Sequence, residues 1–486
     1  MARIVILGAG VSGHTAALHA RRHLGSEHDV VVVSPNEQWN WIPSNIWVGV
    51  GKMTAEQVTF PLAPVYRRQH IEHHQAKAVA MYPEGDATSG TPSIEIEYTD
   101  AERRGTRTRL SYDYLINATG PRLRFDLTPG LGPEGNSLSV CTSGHATQAS
   151  AALRDAIEHL RSGRPQTLVV GMGHGACTCE GAAFEYVFNV DHTLREAGVR
   201  DRARLVYLSN EHELGDFGVG GMTFDTHGRE VTSEQWMTSL FAERGIETIL
   251  QAHVTEVAPN LVHYEQIDGT VGSLAFDFAM LLPPFRGVGL PVFDRHGNDV
   301  GDSVFAASGF MKVDADYTVK PYDDWRATDW PETYESPVYP NVFGVGIAFA
   351  PPHAISKPYQ TPSGAPVAPA PPRTGMPSGT QGKVVAQTII DRVKAGDPGR
   401  PAHAASMAKM GAACIASIGT GLRSGAAATI TMAPIVPDRE RFPGTGRNPN
   451  STFGEIGLAG HWLKRLLHTM FIYKAKARPG WWLIPE

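Results

Sequence analysis

Cys177 and Cys179 stand one residue apart, immediately before a helical pattern that runs from Glu180 to Leu194. Two thiols at one helix start suit sulfur chemistry. The dipole of a helix N-terminus favours the thiolate, and thiolates attack disulfides and persulfides. His174 in sequence, and His145 in space, are candidates to assist that ionisation. A Cys177–Cys179 disulfide is feasible but strained for so short a loop. The remaining cysteines are Cys141 and Cys414, the latter inside Ala412-Ala-Cys-Ile-Ala416, where it reads as a small buried apolar residue. A lone Cys-x-Cys lacks the second ligand pair of a structural zinc site, so no metal is expected. Four cysteines in 486 residues cannot form a disulfide framework, but they suffice for redox chemistry.

These thiols need elements to hold them, and the glycines name those elements. Arg3–Leu7 reads as a strand, Gly8-Ala-Gly10-Val-Ser-Gly13 as a GxGxxG turn, the stretch through Leu24 as a helix and Val30–Val33 as the next strand. In such a turn Gly8 permits the tight bend, Gly10 lets backbone approach a pyrophosphate and Gly13 lets the helix pack on the strand. The usual ribose-binding acid is missing at the end of the second strand, where Ser34, Asn36 or Glu37 remain as candidates. A second turn, Gly171-Met-Gly173-His-Gly175-Ala176, lies between the strand Gln166–Val170 and the cysteine-bearing helix, with Arg204–Leu208 as its following strand. Between the two turns a buried strand ends in Ala118-Thr119-Gly120, and a later one ends at Gly346. Alternating strands and one helix, Ser233–Gly245, are predicted over 205–282. A Trp/Tyr/Pro/Asp-rich insertion fills 317–340. The proline-dense stretch 358–377 must run extended, over the surface or beside a ligand.

The chain length suggests about three domains. Its 42% apolar content is ample for large cores, and its net charge of −6 argues against nucleic acid as a partner. The first residues enter a strand directly, without the basic and apolar regions of a secretory leader. No apolar run is long enough to span a bilayer.

The arrangement resembles the two-dinucleotide-binding-domain flavoproteins, and within them the sulfide:quinone oxidoreductase and flavocytochrome c sulfide dehydrogenase family. The resemblance is carried by Trp41–Gly49, Leu138–His145, Cys179–Glu185, Leu214–Gly221, Pro340–Gly346, Thr374–Met376 and Ala413–Ala416. It implies an α/β fold of two Rossmann-like domains, with FAD on the first turn. The boundaries expected are 1–125 with 295–400 for the FAD domain, 126–294 for the second domain, and 401–486 for a C-terminal helical, membrane-associating region. The cofactor contacts expected are Gly8, Gly10, Gly13, Ser34, Asn36, Lys77, Val79, Thr119, Gly120, Gly346, Thr374 and Gly375. Cys179 and Cys177 are the expected sulfur carriers, Cys141 is expected as either a sulfur carrier or a thioether link to FAD, and Glu185 and His145 are the expected proton carriers. The reaction implied is oxidation of sulfide to polysulfide or elemental sulfur, with electrons passing through FAD to a membrane quinone.

Two departures bear on that reading. The family's third cysteine position falls near Ala348, and Asp216 stands where a histidine is common. Cys177 is the candidate substitute for the missing sulfur.

The tail supplies a route to lipid. Trp462, Leu463, Leu466, Leu467, Met470 and Phe471 recur on one helical face, among Lys464, Arg465, His468, Lys474, Lys476 and Arg478, with Trp481 and Trp482 following. This pattern predicts an interfacial helix lying in the headgroups, hence a peripheral membrane protein; a homo-oligomer is expected separately. Burying six such side chains gives roughly 10 kcal/mol gross, before ordering costs. Three alternatives share the fold: a type II NADH:quinone oxidoreductase, with Glu211 as the acid beyond its second turn; a sulfide dehydrogenase that donates to a cytochrome; and an inactive flavin-bearing membrane adaptor.

Overall fold

The computed structural model describes every residue of the chain except 227, 228, 373, 374, 422 and 424, so the expected cofactor residue Thr374 lies outside the described residues. Arg3–Leu7 and Asp29–Ser34 pair in parallel, and Arg3–Leu7 also pairs in parallel with Tyr114–Asn117. Their continuous apolar runs follow from burial on both faces, as a parallel sheet covered by helices requires. Val342–Gly344 joins the far edge of Tyr114–Asn117 in parallel, bringing residues from the chain's last third beside its first. On the other side Glu72–Tyr82, Ser93–Tyr98 and Arg107–Ser111 complete a seven-stranded sheet. Helix Gly375–Ala395 lies on helix Val11–His23 with backbones in contact: a Cβ on Gly382 would stand 2.1 Å from the Ser12 carbonyl oxygen.

A second parallel sheet has the order Glu247–Ile249, Ala203–Leu208, Gln166–Met172, Phe278–Leu282. Helix Glu180–Glu196 follows its central strand. The helix expected over Ser233–Gly245 spans Ser233–Arg244, closed by Gly245 in the left-handed region at φ +59°. The insertion over 317–340 contributes Trp325, Trp330 and Tyr334 to the core.

The C-terminal region is not wholly helical. Ala412–Ile418, Ala426–Met432 and Phe453–Gly457 form a three-stranded antiparallel sheet, and helix Leu458–Ala475 follows the last strand. The helix docks by its polar face. Lys464 is buried in an ion pair with Glu185 and also donates to the Ile415 carbonyl at 2.8 Å. His468 shares a hydrogen bond with the Ser44 hydroxyl at 2.8 Å. Lys474 pairs with Glu486 at 2.7 Å, and Glu486 also meets His19 Nε2 at 2.9 Å. Burial pushes His14 down to about 4. The neutral imidazole therefore donates from Nε2 to the Ala475 carbonyl at 2.7 Å and accepts from the Tyr66 hydroxyl at 2.9 Å.

The expectation that Lys464 and Lys474 lie among headgroups is corrected by these buried pairs. Of the six apolar tail residues, Trp462, Leu463 and Leu466 face outward, whereas Phe471 stacks on Trp41 with ring centroids 4.7 Å apart. Among the described residues no helix is long and apolar enough to cross a membrane.

Stranding one member of a buried ion pair leaves an uncompensated charge, which typically costs 3–5 kcal/mol. Lys464→Met should therefore lower the unfolding free energy by about 3–5 kcal/mol in denaturant titration. The double variant Lys464→Met/Glu185→Leu should recover part of that loss. A double variant no better than the single one would show that the pair does not dock the tail.

Candidate functional site

The three glycines of the first turn do three different things. Gly8 sits at φ +98°, and a Cβ there would lie 2.2 Å from the Ala118 carbonyl oxygen. A Cβ on Gly13 would lie 2.1 Å from the Gly8 oxygen, so the helix can approach the strand only with glycine there. At Gly10 a Cβ would meet nothing within 4 Å. Gly120, at φ +71°, is equally open. The two open glycines mark a cradle at the N-terminus of helix Val11–His23, whose amide groups and dipole favour phosphate. Gly346, at φ +66°, closes one side of it: a Cβ there would come 2.4 Å from the Ser12 hydroxyl oxygen, and its N–H donates to Gln381 at 2.9 Å. The cradle fits a dinucleotide pyrophosphate.

Other expected contacts surround this turn unevenly. Ser34 is buried at its strand end and accepts from the Asn36 N–H at 3.3 Å, while Asn36 itself is exposed. Thr119 donates its hydroxyl proton to Asn117 at 2.8 Å. Lys77 turns its ammonium to Glu97 at 2.7 Å, and Val79 stands at the bulge between Ala78 and Ala80. Gly375 opens its helix beside Trp41, whose ring a Cβ would reach at 3.7 Å.

The second turn is closed by the chain itself. A Cβ on Gly171 would stand 1.8 Å from the Leu208 oxygen, on Gly173 2.3 Å from the Leu131 side chain, and on Gly175 1.8 Å from the Pro366 oxygen. The proline-dense stretch is what closes it. Ala368 N–H donates to the Gly175 oxygen at 2.8 Å and Ala370 N–H to the Cys177 oxygen at 2.9 Å. Thr178 returns a hydroxyl bond to the Ala370 oxygen at 2.9 Å. The acid beyond the next strand is also occupied. Glu211 accepts from the Tyr207 hydroxyl at 3.0 Å, the Ser209 hydroxyl at 2.8 Å and the Phe217 N–H at 3.0 Å, leaving it no reach to a ribose.

The cysteines gather around the start of helix Glu180–Glu196. Cys179 is its N-cap residue, in the left-handed region at φ +71° and half-buried. Strain of this kind at a non-glycine residue is concentrated at functional sites. Cys177 is fully buried and its thiol donates to the Leu282 oxygen at 3.1 Å, so no Cys177–Cys179 bridge is formed here. Burial, reinforced by Glu180, pushes its thiol up, which corrects the expectation of a thiolate favoured by the helix dipole. Cys177 lies three residues before the helix starts at Glu180, and desolvation outweighs the dipole. Burial likewise holds Cys141 and Cys414 at about 11.

Cys414 belongs to this group, although its sequence context marks only a buried apolar residue. A Cβ on Gly181 would lie 3.4 Å from its sulfur. The position is set by pairing within the C-terminal sheet, for which the residues around Cys414 give no local signal.

Trp41–Gly49 joins the cradle to the thiols. Asn45 donates to the Val140 oxygen at 3.2 Å, next to Cys141, and Tyr186 donates its hydroxyl to the Gly49 oxygen at 3.0 Å. His145 caps into its helix through Thr142, with its ring edge-on to Phe125 at 5.8 Å. His174 stacks edge-on with His253 at 4.5 Å and is pushed down to about 4 by burial, so it supplies no cation to a thiolate at neutral pH. Glu185 is spent on Lys464 and on the Ser417 N–H, which donates to it at 3.1 Å. Ala348 is buried, its oxygen accepting from the Met311 N–H at 2.8 Å.

Comparison with known proteins agrees with this geometry. Residues 2–212 match the pyridine nucleotide-disulphide oxidoreductase family. A sulfide-quinone reductase of Aquifex aeolicus is 26% identical over 473 residues, covering 97% of this chain and 91% of that protein. The crystal structure of the sulfide:quinone oxidoreductase from the same organism superposes with a TM-score of 0.74 at 25% identity, covering 98% of this chain and 92% of that one. Nearly the whole chain is thus similar to sulfide:quinone oxidoreductases in sequence and in fold. It is an FAD-dependent oxidoreductase. A mitochondrial sulfide:quinone oxidoreductase of Mus musculus is 23% identical over 357 residues, 71% of this chain and 64% of that protein. The NDH2 structure from Plasmodium falciparum, bound to NADH, shares the fold with a TM-score of 0.64 but only 12% identity.

The open and closed glycines make different predictions. Gly10 has φ −69°, which any residue adopts. Gly10→Val should fold normally yet purify with little flavin, read from absorbance per mole of protein, whereas Gly8→Val should lower Tm. Full flavin occupancy in Gly10→Val would place the cofactor elsewhere.

A second prediction concerns pH. Burial raises Glu211 to about 7, against about 4.3 for an unfolded chain. The folded state thus holds this proton more tightly, so its contribution to stability is present below about 4.3 and is lost as pH rises to about 7. Glu180 and Asp216 are raised by burial in the same cluster. Glu211→Gln should flatten the decline of Tm across that window, and parallel profiles for the two proteins would contradict the assignment.

Proposed function

We propose that this protein oxidises sulfide to polysulfide or elemental sulfur at Cys179 and passes the electrons through FAD to a membrane quinone. The observation that carries the reading is the contrast between the two glycine turns. One is open for a dinucleotide; the other is filled by Pro366 and its neighbours where a nicotinamide nucleotide would need to approach. A chain closed to that donor, with four cysteines gathered at the helix start, has sulfur as its natural source of electrons. The NADH:quinone reading is disfavoured by the same contact and by the occupied carboxylate of Glu211.

In the proposed reaction hydrosulfide attacks the sulfur of an oxidised Cys179, forming a persulfide and releasing the partner sulfur as thiolate. Each sulfide oxidised to the zero-valent level gives up two electrons, and quinone takes two electrons and two protons. FAD, which the Gly8–Gly13 turn would hold, would supply the two-electron acceptor for this thiolate and the donor to quinone. Cys141, on the loop tied to Asn45, and the buried Cys177 are the proposed sulfur partners. The buried thiols are held as neutral S–H groups, and bridging two of them would release two protons and an electron pair for which FAD would be the acceptor. Glu185, placed in the tail-docking ion pair, is a positioning residue in this reading. Proton transfer falls to His145 or to the carboxyl cluster of Glu211 and Asp216.

Quinone requires contact with lipid, for which the outward face of the tail helix is the proposed surface. Trp462, Leu463 and Leu466 are exposed together, with Phe453 and Ile456 exposed on the preceding strand. Removing the whole tail would uncover Glu185 and His14, so the contact is tested by surface substitutions instead. Leu463→Ser/Leu466→Ser should release protein from membranes with its flavin retained. Persistent membrane attachment would move the contact elsewhere.

The central reaction is tested by sulfide-dependent reduction of a short-chain quinone. Cys179→Ala should abolish it, and Cys177→Ala should reduce it severely because Ala348 holds the position of the absent third cysteine. Full turnover by Cys179→Ala would overturn the proposal.

A further inference from the structure

A cavity lies away from both glycine turns, where the C-terminal end of helix Val11–His23 meets helix Leu62–Arg68 and the segment that follows the tail helix. It has a volume of about 750 Å3. Arg22, Arg68, Lys476 and Arg478 line it with Trp481 and Trp482, and no carboxylate does. Among the described residues none of these four cations is paired with an acid. Arg22 lies over the Trp482 ring at 3.6 Å, Lys476 over the Phe60 ring at 5.5 Å, and Arg68 donates to the Lys476 oxygen at 2.5 Å. Four positive charges thus converge on one opening with only aromatic faces and a carbonyl beside them. In a chain of net charge −6 that concentration calls for an external anion.

We propose that this cavity binds the phosphate headgroup of an anionic phospholipid. Arginine presents a planar fork matched to phosphate oxygens. A tryptophan pair beside a basic cluster suits the headgroup layer, where an aromatic body meets a polar boundary. The cavity begins at the end of the same helix that exposes Trp462, Leu463 and Leu466, and Leu483, 78% exposed, follows its indoles. An acyl chain leaving the headgroup would therefore start on apolar side chains rather than in water, which favours a lipid over a soluble phosphate. The inference rests on the membrane contact proposed above and adds a specific lipid class to it.

The test is flotation of the flavin-loaded protein with vesicles of phosphatidylcholine alone and of phosphatidylcholine mixed with phosphatidylglycerol, at low and physiological salt. Wild type should prefer the anionic vesicles. Arg22→Gln/Arg478→Gln, both exposed positions, should lose affinity for them by roughly 10- to 30-fold while keeping its binding to neutral vesicles and its flavin. Equal binding of wild type to both vesicles would overturn the site and leave the membrane contact standing. Binding to neither would overturn both. Inorganic phosphate that raises wild-type Tm but not that of the double variant, with no vesicle preference, would assign the cavity to a soluble anion and overturn the lipid reading. An unchanged anionic preference in the double variant, with Arg22→Glu/Arg478→Glu also unchanged, would overturn the site and leave the membrane contact standing.

Discussion

The carbonyl oxygen of Pro366 stands where any side chain on Gly175 would have to be, 1.8 Å from the position of its Cβ. That contact decides what the second Rossmann-like unit can hold. The backbone of 366–370 runs alongside 175–178, with the Ala368 and Ala370 N–H groups donating to the Gly175 and Cys177 oxygens. Glycine persists here to admit a protein strand rather than a pyrophosphate. The thiols of Cys177 and Cys179 therefore sit under a protein cover, and Cys177 in particular is desolvated enough to keep its proton.

The C-terminal region shows a second inversion. A helix with lysines and leucines is usually docked by the leucines. Here Lys464 and Lys474 go inward because Glu185 and Glu486 wait for them, and Trp462, Leu463 and Leu466 go outward. Buried ion pairs add little net stability, but they specify one docking geometry. The arrangement leaves an apolar surface facing out, and beyond the helix's C-terminal end lies a cavity whose lining cations have no acidic partner among the described residues.

The legible parts of the fold are those set by local pattern. The strand, turn and helix over 3–23 follow from a buried run, three glycines of fixed spacing and a helical period. The helix at 233–244 follows from its capping residues and Gly245. Contacts far apart in sequence stay hidden. Nothing near Gly175 announces Pro366, and nothing near Lys464 announces Glu185. The antiparallel sheet over 412–457 reads poorly because two of its strands are rich in alanine, a residue depleted in strands. For the candidate site, the glycines and the Cys-x-Cys pair are visible as residue types. The protonation of Cys177, the convergence of Cys414 and the occupation of Glu211 depend on burial that only the folded chain reveals.

Anaerobic stopped-flow measurement of flavin absorbance tests the account most directly, with sulfide and NADH mixed separately against the purified oxidised protein. The account predicts rapid bleaching by sulfide and none by NADH, because the closed second turn admits no nicotinamide. Rapid bleaching by NADH with no response to sulfide would contradict it.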